Sequence, residues 1–323
     1  MKHTLLIYLS FSLFFFYTPS TTHAQKYEIL GHEFMIPDKV SDSTTIRAVF
    51  CHHVQSYDDL SKGGNNHGHY LFDGTHPKIP DKNYQPDKPE WSWENFAGEV
   101  NCAQLVWNYD DDLASIEEIL NEAAIKLNRP ELSEAPIVLT GLSRGGSTAI
   151  IEGMKNPDRV VAIIAFHGVS IERIIPDTHL DTRAKRNTPV LYLLAGNDST
   201  RNTKIDRYLK DIIRPTGALW GAAMQIDIPH HHMGDQGFVK YWVQQVMDER
   251  LPARVKPGDP VVLNEYTESK GVQGTFTLSR DTNGPNKDGA YFKDATIARG
   301  DDVWWPNESA AKEWLQYCET GAP

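Results

Sequence analysis

The sequence predicts an α/β fold in which a mostly parallel sheet carries helices on both faces. Near-continuous apolar runs alternate with amphipathic segments from about residue 45 to residue 251. Apolar runs of this kind indicate strands buried on both faces, which is typical of a parallel sheet covered by helices. The chain has 323 residues, enough for one large domain with a sizeable core or for two smaller domains.

Six segments have the pattern of buried strands, because they are short, apolar and rich in β-branched and aromatic residues. The sixth leads into its strand through a Gly-Ala-Leu-Trp sequence. These segments are residues 45–54, 101–110, 135–141, 159–168, 188–198 and 217–229.

Four segments have the spacing of helices with one buried face. In the first, Asp110 to Asp112 place negative charge where a helix begins, and Pro130 follows its end. In the last, Asn307 is the expected N-cap. The four helices lie within residues 111–132, 143–157, 237–251 and 306–318.

Residues 1–24 have the layout of a secretory signal peptide. Lys2 gives a positive start, residues 5–17 are apolar, and Ala24 is a small residue at the expected cleavage site. The apolar stretch is shorter than the ~20 residues that a membrane-spanning helix needs. We therefore expect a secreted or periplasmic protein that is not stably inserted in a membrane after cleavage.

We expect residues 25–323 to form one domain with two additions. Residues 61–96 form a long insertion full of Gly, Pro and Asn, and a loop of that length often covers a functional site. Residues 260–323 form a C-terminal extension with short strand-like pieces such as "TFTLS" before the last helix.

The sequence "GLSRG" points to a catalytic serine. Gly141, Ser143 and Gly145 lie between a predicted buried strand and a predicted helix. This is the context of a nucleophile elbow, a sharp turn that exposes a serine at the carboxyl edge of a sheet. The amide of Arg144 would then lie at a helix N-terminus, where it can stabilise an oxyanion. The competing interpretation is a glycine-rich connection that happens to contain a serine.

An acid and then a histidine must follow such a serine along the chain. Asp198 ends the strand-like run "VLYLLAGND", although Asp is also common in turns. His230, His231 and His232 follow the next predicted strand, and one of them should accept the proton of Ser143. The residues alone do not distinguish among these three.

The elbow, "LAGND" and the histidine loop resemble the α/β-hydrolase superfamily. The segments "GALW" and "DVWWPNESAAKEWLQY" resemble a group of secreted bacterial serine esterase-like proteins within it. In that group a glycine follows the catalytic histidine by three residues, a spacing that His231 and Gly234 match. The resemblance therefore favours His231 as the base, with His232 and His230 as alternatives. It covers the chain from about residue 45 to the end.

The second oxyanion donor of such an enzyme comes from the loop after the first buried strand. By position this is His52, His53 or Val54, and His53 is the preferred residue. Two loop histidines at a strand end, without any catalytic role, are an equally good interpretation.

We expect neither a metal site nor a cofactor. Three adjacent histidines in an irregular loop point in different directions, which does not suit three ligands of one ion. The formal net charge of -11 at pH 7, without a stripe of Lys and Arg, makes nucleic acid an unsuitable partner.

The predicted function is that of an exported serine hydrolase that cleaves a carboxylic ester through an acyl-enzyme. Several of the eight tryptophans, Trp91, Trp93, Trp107, Trp304 and Trp305 among them, could offer aromatic faces to a sugar or an aromatic acyl group, or could pack in the core. The expected partner is a small-molecule or polysaccharide ester. The alternatives are a peptidase or acyltransferase on the same fold, or a non-catalytic glycan-binding protein.

Three cysteines, Cys51, Cys102 and Cys318, leave the pairing open. An odd number excludes complete intramolecular pairing, and export would permit one disulfide without requiring it.

Overall fold

The structure, a computed structural model, describes most of the chain after residue 23. The predicted signal peptide, apart from Ala24, and residues 61–92 of the predicted insertion lie outside the described part. The described residues are 24–54, 93–108, 114–168, 180, 182–228, 230, 233, 236–253, 255–256, 259–280, 290–297 and 301–320.

An eight-stranded sheet forms the centre of the molecule. Its strands lie in the order β1-β2-β4-β3-β5-β6-β7-β8. The first two strands are antiparallel to their neighbours, and β3 to β8 pair in parallel. The strands are β1 Gln25–Ile29, β2 His32–Ile36, β3 Val49–Val54, β4 Ala103–Asn108, β5 Ile137–Leu142, β6 Val160–Phe166, β7 Val190–Ala195 and β8 Trp220–Gln225.

Seven α-helices accompany the sheet in the described residues, and the second and last begin with caps. Ser115 and Glu118 form a capping box at the start of α2, and Asn307 Oδ1 accepts from the Ala310 amide at 2.9 Å, as the sequence predicts. The helices are α1 Trp93–Glu99, α2 Ile116–Lys126, α3 Arg144–Lys155, α4 Arg183–Arg186, α5 Ser199–Tyr208, α6 Gly237–Arg250 and α7 Glu308–Thr320.

The parallel strands form the core, as their apolar sequences predict. Every residue of β6, β7 and β8 is buried. Helix α3 packs against β5 and β6, and helix α6 also packs against β6. Each of the six predicted segments contains a strand, although β5 extends one residue beyond its segment, to Leu142, and the α/β fold class is confirmed. The antiparallel pair β1 and β2 lies outside those segments.

The predicted insertion ends earlier than expected. Residues 93–96 open helix α1 instead of continuing the loop, and Trp93 and Phe96 are buried there. Both aromatic rings pack against Phe50 of β3, which explains why this end of the segment is ordered in the core.

The C-terminal extension is a second, three-stranded antiparallel sheet followed by α7. Its order is β10-β9-β11, where β9 is Val272–Arg280, β10 is Ala290–Ile297 and β11 is Val303–Trp305. Strand β11 contacts β8, and Trp305 belongs to the same apolar core as the large sheet. The extension is therefore packed onto the main sheet.

The described tryptophans named above pack in the core, which was one of their two interpretations. Trp93, Trp107, Trp304 and Trp305 are each at most 2% exposed, so none presents an aromatic face to a sugar. These rings pack in the core because each buries a large apolar surface. Trp91 lies outside the described residues.

The three cysteines are free and buried, so Cys51 and Cys102 do not pair with each other. Burial raises the pKa of both thiols to about 12. Among the described residues, no helix is long and apolar enough to cross a membrane.

Candidate active site

Ser143 occupies a strained turn between β5 and α3. Its φ of 57° and ψ of -118° are unusual for a residue with a side chain. The turn is held because the Ser143 amide donates to the carbonyl of Phe166 in β6 at 2.8 Å. The strand-turn-helix context therefore has the geometry of a nucleophile elbow.

The two glycines of the elbow are required by close packing. A Cβ on Gly141 would overlap the backbone of Gly145 and lie 2.9 Å from the amide nitrogen of Gly146. A Cβ on Gly145 would lie 2.6 Å from Nδ1 of His53. Real Cβ contacts are longer than this, so a side chain at either position would displace the turn and with it Ser143.

His230 contacts both Ser143 and Asp198. Its Nε2 lies 2.8 Å from the Ser143 hydroxyl, and its Nδ1 lies 2.9 Å from Oδ2 of Asp198. The histidine and aspartate side chains are 22% and 17% exposed. A hydroxyl, an imidazole and a carboxylate in this sequence of contacts can take up and return a proton.

The carboxyl edge of the sheet explains this convergence. Ser143 follows β5, Asp198 follows β7 and His230 follows β8. Because these strands are parallel, all three residues emerge at one edge. Ser143 and Asp198, 55 positions apart in the sequence, thereby come to contact the same imidazole.

Asp198 is fixed by the start of α5. The Asn202 amide donates to the Asp198 carbonyl at 3.0 Å, and the buried Asn202 side chain donates to the Ala195 carbonyl at 2.6 Å. Arg201 Nη1 also lies 2.7 Å from Oδ2 of the aspartate. The carboxylate is therefore held from its own helix as well as by the imidazole.

The preference for His231 is corrected by this geometry, since His230 occupies the place between Ser143 and Asp198. The preference for His231 came from its spacing to Gly234. That spacing does not show which residue of the loop is held by a hydrogen bond. The loop is fixed at residue 230, whose carbonyl lies 2.9 Å from Nδ1 of His167. His231 and His232 lie outside the described residues.

His167 and Gln225 are two residues that the sequence reasoning missed. His167 follows β6 with a φ of 48°, and it is 2% exposed. Its Nε2 lies 2.7 Å from Oε1 of Gln225, the last residue of β8. A polar residue directly after a buried strand was the signal that identified Asp198, and "AFHG" carries the same signal.

The predicted oxyanion donors lie on either side of the elbow. Arg144 is the first residue of α3, so its amide has no acceptor four residues earlier within the helix. His53 lies in β3, paired with Trp107 of β4 and Gly141 of β5, and its imidazole packs edge-on against Trp107. The assignment of Arg144 and His53 as oxyanion donors stays a prediction.

The residues that could bind a metal are not grouped in the described part of the chain. No set of three or more His, Cys, Asp or Glu side chains among those residues could hold one ion.

Comparisons with known proteins agree with the fold. A family model described as "Dienelactone hydrolase family" matches residues 97–228, which include Ser143 and Asp198. No protein of curated function matches the sequence.

Solved structures give distant similarities. A predicted CIB-like hydrolase from Thermoplasma acidophilum shares 14% identity over 70% of this chain and 99% of its own, with a TM-score of 0.41. An S-formylglutathione hydrolase from Staphylococcus aureus shares 13% identity over 70% of this chain and 98% of its own, with a TM-score of 0.41. A dienelactone hydrolase from Anabaena variabilis shares 14% identity over 70% of this chain and 97% of its own, with a TM-score of 0.39.

The sheet order, the serine elbow and the family match together identify the chain as a hydrolase of the α/β-hydrolase superfamily.

Proposed function

We propose that this protein is an exported serine esterase, in which Ser143 is the nucleophile, His230 the base and Asp198 the residue that orients the base. One observation carries the proposal: a single imidazole lies 2.8 Å from the Ser143 hydroxyl and 2.9 Å from the Asp198 carboxylate. Such a pairing of nucleophile, base and orienting group is the general arrangement of covalent acyl-transfer catalysis.

Acylation begins when the Ser143 oxygen attacks the ester carbonyl. His230 Nε2 takes the hydroxyl proton as the new C–O bond forms, and Asp198 stabilises the resulting imidazolium. The imidazolium then gives that proton to the alkoxide as the ester C–O bond breaks. The products of this half-reaction are a free alcohol and an acyl-Ser143 ester.

Deacylation repeats the same steps with water. His230 removes a proton from water, the hydroxide adds to the acyl carbonyl, and the proton returns to the Ser143 oxygen as the acid leaves. In both halves the carbonyl oxygen becomes negative, and the amides of Arg144 and of the chain near His53 are the proposed donors to it.

The proposed substrate is a small carboxylic ester, on a carbohydrate or with an aromatic acyl group. The proposed export would place the substrate outside the cytoplasm, and the acidic net charge of -11 supports an uncharged or weakly charged substrate. The burial of Trp93, Trp107, Trp304 and Trp305 removes the support that these aromatic residues would give to a sugar or aromatic acyl group in the substrate and to a glycan-binding role without catalysis.

A fluorophosphonate probe tests the nucleophile. We expect the probe to label the wild type and to leave Ser143→Ala unlabelled, because only an activated serine reacts with it. Lack of labelling in the wild type would contradict the proposal.

The base is tested by a matched series of His230→Ala, His231→Ala and His232→Ala. Removing the imidazole that contacts Ser143 should lower kcat by about 10³-fold or more, whereas removal of either neighbour should change it far less. A larger loss for His231→Ala than for His230→Ala would restore the preference that the sequence alone favoured.

The reaction class is tested with p-nitrophenyl acetate, feruloyl esters and aminoacyl amides. An esterase should turn over the esters faster, whereas faster turnover of the amides would indicate a peptidase. Product analysis with an added alcohol distinguishes hydrolysis from acyl transfer.

Export is tested by the mass of the mature protein. Strand β1 begins at Gln25, the first residue after the expected cleavage site, which supports a mature domain that starts there. Expression with the native N-terminus should yield an extracytoplasmic protein that begins at Gln25, and an intact Met1 in the cytoplasm would contradict it.

A further inference from the structure

His167 contacts His230, the proposed base. None of its described hydrogen bonds goes to Ser143. Its ring nitrogens face two oxygens: Nδ1 is 2.9 Å from the His230 carbonyl, and Nε2 is 2.7 Å from Gln225 Oε1. The two imidazole rings lie 6.1 Å apart. His167 therefore reaches the triad through the backbone of His230 rather than through its side chain.

Two oxygen acceptors compete for the His167 proton. Burial lowers the pKa of His167 to about 4, so near pH 7 the imidazole is neutral and carries a single N–H. The His230 carbonyl can only accept, and the Gln225 amide presents its oxygen to the ring because its Nε2 lies against the Met233 carbonyl. An N–H on Nδ1 is donated to His230, and an N–H on Nε2 is donated to Gln225.

Described hydrogen bonds hold the loop before residue 230, after it and at residue 230 itself. Before it, the Asn197 amide donates to the Ile228 carbonyl at 3.1 Å. After it, Gln225 Nε2 lies against the Met233 carbonyl. At residue 230 itself, the described backbone contact is the one from His167.

The backbone conformation of His167 is unfavourable, which is consistent with a need for its imidazole at this position. A φ of 48° costs a non-glycine residue free energy, of order 1 kcal/mol. This conformation directs the ring between the ends of β6 and β8, where Gln225 fixes its plane. If the His167 imidazole has to reach residue 230, this explains both the strained backbone of His167 and the burial of its ring.

We propose that His167 is a positioning residue, whose Nδ1–H holds the carbonyl of His230 and thereby keeps the His230 imidazole between Ser143 and Asp198. This inference rests on the proposed function, because it assigns His230 as the base. A displacement of about 1 Å at such a base can lower the rate by about 10²-fold.

Two variants with amide side chains, His167→Asn and His167→Gln, distinguish the positioning role from a role in packing alone. In His167→Asn the side-chain nitrogen stands at the place of Nδ1 and can still donate to residue 230. In His167→Gln it extends by one bond to the place of Nε2 and reaches Gln225 instead. Asn also tolerates a positive φ, so its backbone cost is low.

We expect His167→Asn to retain kcat within about threefold, and His167→Gln to lose about 10- to 100-fold in kcat with KM unchanged. The matched control is His32→Asn, a buried histidine on β2, three strands away from β5. This control should lower the melting temperature without changing kcat. Equal losses in the Asn and Gln variants, or a loss confined to KM, would overturn the inference.

A second readout does not depend on turnover. The proton between His230 Nδ1 and Asp198 gives a downfield signal in proton NMR when the pair is held together. We expect this signal in the wild type and in His167→Asn, and its broadening or loss in His167→Gln. An unlabelled, inactive wild type would contradict the proposed function alone, whereas a signal that is unchanged in folded His167→Gln would contradict the positioning role alone.

Discussion

Arg201 donates a 2.7 Å hydrogen bond to Oδ2 of Asp198, the same carboxylate oxygen that lies 2.9 Å from His230 Nδ1. The guanidinium stands one helical turn beyond the aspartate on α5 and is about half exposed. An exposed ion pair of this kind contributes little to stability. Its positive charge is nevertheless close to His230, the proposed base, and opposes formation of the imidazolium.

Replacing Arg201 with Gln should therefore move the acidic limb of the kcat/KM pH profile to higher pH. Removing the cation favours the protonated base, so a higher pH is needed to deprotonate it. A charge at roughly 6 Å in a water-like medium is worth ~0.7 kcal/mol, or about half a pH unit. The control is Arg207→Gln on the same helix, whose guanidinium pairs with Asp211 and should leave the profile unchanged.

Alanine at Gly145 should damage the elbow through His53. The added Cβ would lie 2.6 Å from His53 Nδ1, and His53 is buried. We expect a destabilisation of about 1–3 kcal/mol that is partly relieved in the double variant Gly145→Ala/His53→Ala. Urea unfolding of the four proteins measures the coupling, and strict additivity would contradict the contact.

Gly31→Ala is a useful comparison for the elbow variants. Gly31 has a φ of 80°, and a Cβ there would meet nothing within 4 Å. Gly31→Ala should lower the free energy of unfolding only by the cost of the left-handed backbone, about 1 kcal/mol. Its effect on that free energy should add to the effect of His53→Ala.

Stability should fall as the pH is lowered from about 6.5 towards 4. Burial lowers the pKa of His52 to about 3 and that of His53 and His167 to about 4. In this window the unfolded chain binds protons that the folded protein does not, so each such histidine contributes a slope of about 1.4 kcal/mol per pH unit. Urea unfolding at several pH values should show a shallower slope for His52→Leu than for the wild type.

Arg214 should hold the C-terminal extension on the main sheet. Its guanidinium is fully buried and contacts Glu268 at 2.7 Å, Asp301 and the Ala218 carbonyl. We expect Arg214→Ala to destabilise the protein by about 2–4 kcal/mol, since buried hydrogen bonds are lost with their partners still in place. The exposed pair of Arg183 and Glu265 supplies the control, where Arg183→Ala should cost less than about 1 kcal/mol.

All three thiols should be protected in the folded protein. Cys51, Cys102 and Cys318 are free and buried, and burial raises their pKa values. A thiol reagent should detect fewer than one thiol per native chain and three after denaturation in urea. Detection of only one thiol in the denatured, unreduced protein would indicate a disulfide.

The sequence by itself determined the parallel sheet and the strand-turn-helix context of Ser143. Buried strands such as 159–168 are recognisable because full burial requires an unbroken apolar run, which is a local property of the sequence. The elbow around Ser143 is recognisable because its tight turn requires small residues at 141 and 145. Both patterns can be recognised in the sequence without knowledge of the tertiary contacts.

Only the tertiary structure decided which histidine meets Ser143, what the tryptophans do and where the insertion ends. His230, His231 and His232 are chemically identical, and only the fold brings the imidazole of His230 to Ser143, 87 residues earlier in the chain. The burial of Trp304 and Trp305 likewise depends on how the second sheet packs against β8. Contacts of this kind join residues far apart in the sequence, and no local spacing of residues reports them.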